Sequence, residues 1–162
     1  MDLQAWHLVL EKCANVEQTI AVLRAFPITY AYVYRPRHVL LADRLGASAV
    51  VEFLPEGVVV SRADTPYQVM TNSYWAGPSD QTRCWRYQRA VEILESRQGQ
   101  MDTGVMRAVM ASIHSSTQWT SVYDLQDLTL ILTLQNDNFS TQYKFYLEGF
   151  IARMKKMKKR ST

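Results

Sequence analysis

The sequence predicts an α+β fold in which antiparallel sheets carry helices packed on them. Short apolar runs at 39–42, 49–54 and 58–60 are rich in Val, Leu and Phe, too short for helices, and separated by turn residues. A later block, 117–147, again alternates β-branched and aromatic residues with polar ones. Before and between these blocks, apolar residues recur at helical spacing. Blocks of strands that alternate with blocks of helices argue for layered α+β architecture rather than βαβ units.

Leu3 to Leu10 places apolar residues at 3, 6, 9 and 10, one face of a helix. Asn15 suits the N-cap of a second helix, Val16 to Phe26, with Gln18 at the capping-box position and Val16, Ile20 and Leu23 facing inward. Pro27 ends that helix. His7 reads as a partly buried helix residue rather than a catalytic one. Ile28 to Tyr34 reads as the start of a strand that Pro36 interrupts. The meander that follows turns at Asp43-Arg44-Leu45-Gly46 and at Pro55-Glu56-Gly57, where Asp, Pro and Gly supply hairpin chemistry. A fourth run ends in Met70-Thr71-Asn72, so the meander is expected to deliver Asn72 at the end of its last strand. A polar side chain held there by a rigid sheet would suit a directed hydrogen-bond donor.

After a loop with Gly77-Pro78, Ser79 or Asp80 is expected to cap a helix from about Gln81 to Gln98, which Gly99 ends. Tyr87, Ala90, Val91 and Leu94 form its inner face. Its charge order is unusual. Arg83, Arg86 and Arg89 crowd the N-terminal half and Glu92 and Glu95 follow, against the helix dipole. One reading is a simple ladder of pairs one turn apart. The other is that an arginine here faces an anion or a polarised site across the loop from Asn72. A second helix, Asp102 to Ile113, turns Val105, Met106, Val109 and Ile113 inward. Thr117 to Asp124, Leu128 to Leu134 and Thr141 to Leu147 then form a second antiparallel meander.

At 162 residues the chain is long enough for one real core, and residues 1–150 read as a single domain followed by a basic tail, 151–162. Six of the eighteen basic residues lie in 153–160, so the net charge of +3 becomes −3 without them. The tail reads as a solvated end or as an electrostatic handle for nucleic acid, lipid headgroups or an acidic protein. No aromatic residue interleaves it, and nothing else suggests a nucleic-acid module. No apolar run approaches the roughly 18 residues of a membrane span, and the first residues lack the basic start of a secretory signal. Cys13 and Cys84 form no metal-ligand spacing and point to a reducing, cytoplasmic compartment. The absence of a phosphate-binding glycine loop, a Walker motif and HExxH leaves no metal or cofactor expected.

Five separate stretches together resemble the linear amide C–N hydrolases, a group that includes the choloylglycine hydrolases, penicillin V acylases and acyl-CoA:6-aminopenicillanate acyltransferases. LLADRLGASAVVEF, from Leu40, resembles their LIAD-x-x-G-x-x-x-VVE hairpin. Val69-Met70-Thr71-Asn72 resembles their V-x-TN strand end, and Arg86-Tyr87-Gln88-Arg89-Ala90 their R-[FY]-x-R-A helix start. Trp119 to Asp124 resembles their W-[ST]-x-V-[YF]-D strand, and Asn15-Val16-Glu17 their A-N-V-E-E-A helix.

The resemblance implies part of an N-terminal-nucleophile αββα sandwich that acts on a small-molecule amide without a cofactor. In such enzymes a cysteine at the mature N-terminus attacks the amide carbonyl, with its own α-amino group as base. Asn72 is then implied as an oxyanion-hole donor and Arg86 as support for the nucleophile's thiolate. The chain departs from the pattern at its start. Met1-Asp2-Leu3 offers no nucleophile, Cys13 matches no nucleophile motif, and Cys84 reads as a small packed residue just before Arg86. The expectation is therefore a C-terminal portion of such an enzyme, inactive alone. Its open sheet edges would be covered by a second copy or by a missing N-terminal chain. The alternative is a non-catalytic domain of the same fold that self-associates or binds a partner.

Overall fold

The computed structural model describes residues 3–26, 37–73, 76, 81–135 and 138–149. The strand expected at 28–34, the Ser79 or Asp80 cap and the basic tail lie outside these residues. The chain divides into two compact units, Met1–Gly99 and Gln100–Thr162. Helices accompany a three-stranded antiparallel sheet in each, so the fold is of the α+β class.

The first unit opens with α1 (Leu3–Lys12) and α2 (Val16–Ala25). Asn15 caps α2 through its side chain, which accepts from the Gln18 amide at 2.9 Å. The Gln18 side chain reaches back to the Ala14 amide at 2.7 Å, one residue short of the expected capping box. His7 is exposed on α1 rather than partly buried. Strands β1 (Arg37–Ala42), β2 (Ser48–Leu54) and β3 (Gly57–Ser61) form a meander with β2 in the centre. Val9, Val16, Ile20 and Leu23 pack against Ala49, Val51 and Phe53 to make its core. Successive strand residues face opposite ways, so these three share one face of β2, and Val50 and Glu52 share the other. All five are buried, which covers the central strand on both sides.

Asp43 joins the first hairpin to the helices. Its carboxylate accepts from the Leu45 and Ala47 amides within the turn and from the Val16 amide at the start of α2. The Val16 amide is the strongest influence on it. With the Leu45 and Ala47 amides it outweighs burial and holds the carboxyl below its usual value.

The run ending at Asn72 is not a strand. Residues 62–71 leave the sheet, β3 stays at its edge, and Asn72 is exposed in a bend. Pro66 removes a backbone donor from this segment. The Ser61 carbonyl is taken by the Gln68 side chain at 3.1 Å, and Thr65 closes on the Tyr67 carbonyl at 2.7 Å. Local side-chain bonds therefore compete with the ladder that the apolar pattern suggested.

The expected long helix is also interrupted. A 3-10 turn, Gln81–Arg83, precedes α3 (Trp85–Ser96), and Cys84 sits between them as N-cap in extended backbone, φ −79 and ψ 113. Ala90 and Leu94 are buried and Tyr87 and Val91 half-buried, as the spacing predicted. Gly99 ends the helix at φ +74, with its N–H on the Leu94 carbonyl at 2.8 Å. A Cβ there would stand 2.9 Å from Pro66 Cγ, so the position combines a left-handed backbone with close packing.

In the second unit Asp102 caps α4 (Thr103–Ser112), accepting from the Val105 amide at 2.7 Å. Strands β4 (Trp119–Asp124), β5 (Thr129–Leu134) and β6 (Gln142–Tyr146) form the second meander. Thr120, Val122, Thr129, Ile131 and Thr133 are buried on one face of it.

Candidate functional site

Glu52 stands in the middle of the central strand with no solvent exposure. His38 lies directly opposite it across the β1–β2 ladder, with Nδ1 3.8 Å from Oε1. The second carboxylate oxygen, Oε2, accepts from the Ala76 amide at 2.6 Å. A buried carboxylate is retained only where such partners compensate its lost hydration. Asn72 itself stands in a bend and not at the end of a strand.

The start of α3 holds a second cluster. Burial pushes the Cys84 thiol up, but other groups outweigh it and the thiol lies below its usual range. These are the amide of Tyr87, the Thr71 hydroxyl, the amide of Arg86 and the Arg86 guanidinium. The thiol makes no short capping bond, and the buried Thr71 hydroxyl makes no hydrogen bond of ordinary length among the described residues. A helix N-terminus with a neighbouring arginine is an environment that favours a thiolate.

This placement brings together two stretches that the sequence kept apart. Thr71 immediately precedes Asn72, and Arg86 opens α3; both act on Cys84. Arg86 is half-buried and Asn72 exposed. The ladder reading of the helix charges holds for Arg89, which pairs with Glu92 at 2.8 Å. Glu95 instead accepts from the Tyr67 hydroxyl at 3.3 Å.

Three residues of this region were not singled out from sequence. Cys84 looked like packing, Thr71 was only the neighbour of Asn72, and Glu52 was one polar residue in an apolar run. The run AVVEFL carried a signal for Glu52, because a carboxylate at the centre of a buried strand needs a partner. Nothing local marks Cys84.

Among the described residues, no group of three or more His, Cys, Asp or Glu side chains is placed to hold a metal ion. No described helix is long and apolar enough to cross a membrane. Comparisons with curated proteins and with solved structures give no match to the chain. A family model does match, over residues 5–139, and it is described as acyl-coenzyme A:6-aminopenicillanic acid acyl-transferase. That span takes in α2, α3, α4, all of α1 but its first two residues, and every strand except β6. The chain belongs to the acyl-coenzyme A:6-aminopenicillanic acid acyl-transferase family.

Proposed function

We propose that this chain supplies the electrostatic part of a site that cleaves or transfers the acyl group of a small-molecule amide. The observation that carries the proposal is that Thr71, the neighbour of Asn72, and Arg86 both help to lower the pKa of the Cys84 thiol. Asn72 donates its side-chain N–H groups to the oxyanion that forms when the amide carbonyl is attacked. Arg86 favours the thiolate of the attacking cysteine, as it favours that of Cys84. Glu52 accepts from the Ala76 amide, four residues beyond Asn72.

The attacking cysteine in this reading is an N-terminal residue with its own α-amino group as base. The two cysteines in the sequence, Cys13 and Cys84, are both internal. In this reading amide turnover, in an enzyme that works in the cytoplasm, requires a nucleophile other than these two. The test is to isolate the protein from its native source through a tag on its C-terminus and to assay release of amine from a panel of acyl amides. Turnover is expected only where a cysteine-bearing segment is joined to or co-purifies with this chain. Turnover by the 162-residue chain alone, surviving Cys84→Ala, would contradict the proposal.

A second reading, a non-catalytic domain that self-associates, is favoured by one surface. Trp119, Tyr123, Tyr143 and Phe145 lie on the same face of the β4–β6 sheet and are all exposed. Leu130 stands between Tyr123 and Phe145 in one cross-strand row, and Leu132 lies opposite Tyr143. A contiguous apolar face of this kind marks an interaction surface. Sedimentation that reports a dimer lost on Phe145→Ser, together with no amide turnover in any native preparation, would favour this reading over the first.

A further inference from the structure

A cavity of about 180 Å3 lies within the second unit, between α4 and the sheet. It shares no residue with the Asn72 and Arg86 region, and the inference drawn from it does not rest on the proposed amide chemistry. Arg107, Ala108 and Ala111 of α4 line one side, Thr120 and Thr133 the other, and Phe139 contributes an aromatic wall.

The two threonines face each other across the β4–β5 ladder and are nearly buried, at 7% and 4% exposure. They put a pair of hydroxyls at the floor of the cavity, each able to donate a hydrogen bond. Arg107 provides the charge. Its Nε is buried without a hydrogen-bond partner among the described residues. Folded proteins leave few buried donors unsatisfied, and a cationic donor has the most to gain from an acceptor. In this case the acceptor can come from a molecule in the cavity.

The remaining walls decide its chemistry. The side chains of Ala108, Ala111 and Phe139 have no polar atoms, so a phosphate or sulfate would lose hydration against them without compensation. A carboxylate with a short alkyl chain matches both halves: its planar oxygens suit the guanidinium fork, and its carbons suit the alanines and the ring. An apolar cavity of about 150 Å3 holds benzene, so this one has room for roughly six heavy atoms. We propose that the cavity binds a small aliphatic carboxylate of about four carbons. Its oxygens meet Arg107 and the Thr120 and Thr133 hydroxyls, and its chain packs on Ala108, Ala111 and Phe139.

The experiment is an NMR titration of the full chain with butyrate, using butyramide and inorganic phosphate as comparators. Butyrate is expected to give saturable shifts at the Thr120 and Thr133 amides and at the Arg107 Nε–H. Butyramide, which has the same shape without the charge, is expected to bind at least about tenfold more weakly, and so is phosphate. Arg107→Gln is expected to weaken butyrate by about tenfold or more. Ala111→Phe fills the apolar half while leaving Arg107 in place, and is expected to abolish binding with the fold intact. The proposal is overturned if butyrate produces no saturable shift, if butyramide matches it, if phosphate binds more tightly, or if Ala111→Phe leaves butyrate binding unchanged.

Discussion

The buried carboxylate of Glu52 accepts a hydrogen bond from the Ala76 amide at 2.6 Å. This one bond spans 24 residues of sequence and joins the central strand of the first sheet to Ala76. Leaving a buried donor without its acceptor costs about 1–3 kcal/mol. Glu52→Gln keeps the shape but puts an NH2 group in place of one carboxylate oxygen, and is expected to lower stability to urea by an amount in that range. The Ala76 amide should also exchange with solvent faster than its neighbours do after the change. Unaltered exchange at Ala76 would mean that Ala76 is held by something else.

The cluster at Cys84 makes a prediction about pH. The fold lowers the thiol's pKa, so its thiolate is present at pH values where an ordinary cysteine is still protonated. In a Cys13→Ser background, alkylation of Cys84 by iodoacetamide should reach half its limiting rate below the usual thiol value of about 8.5. Arg86→Gln should move that midpoint upward. The sign for stability follows from linkage. A depressed acid contributes stability that is fully present above its unfolded pKa and lost as pH falls through its folded one. Part of the protein's stability should therefore grow as pH rises between the lowered Cys84 value and about 8.5, and Cys84→Ala should remove that part.

Asp43 has the same sign in acid. Its carboxyl is held below the usual value chiefly by the Val16 amide. Its contribution is complete above about 3.9 and is lost as pH falls through its lower folded value. Asp43→Asn should lower the melting temperature at neutral pH and flatten the acid limb of the stability curve. An acid limb that keeps its slope in the variant would show that other carboxylates set it.

Gly99 offers a test of how α3 ends. Its φ of +74 and the 2.9 Å approach to Pro66 Cγ both disfavour a side chain. Gly99→Ala should destabilise the protein by roughly 1–2 kcal/mol, more than a glycine replacement at an open turn. Gly46 at φ +88 has nothing within 4 Å of its Cβ position and provides that comparison. Equal losses at the two positions would show that the contact with Pro66 adds nothing to the backbone cost.

What the sequence made legible was local. The Asn15 cap, the inner face of α2 at Val16, Ile20 and Leu23, and both meanders follow from spacing and turn residues only a few positions apart. The five stretches that resembled an amide hydrolase lie within the span that the family model matches. What was not legible depends on partners far along the chain. The run ending in Met70-Thr71-Asn72 suggested a strand, but Pro66 and the Gln68 bond to Ser61 take that segment out of the ladder. Cysteine is not a capping residue by type, and the character of Cys84 comes partly from Thr71, on a segment that only folding brings near. The burial of Glu52 depends on His38 and Ala76, and neither is its neighbour in sequence.

In the proposed reaction Asn72 donates to an oxyanion formed from an amide substrate. The direct test is kcat for amide cleavage by the protein isolated from its native source, with Asn72 intact and as Asn72→Ala. A fall of about 10²–10³ in kcat is expected, as for loss of one oxyanion donor. A kcat unchanged by Asn72→Ala would contradict it.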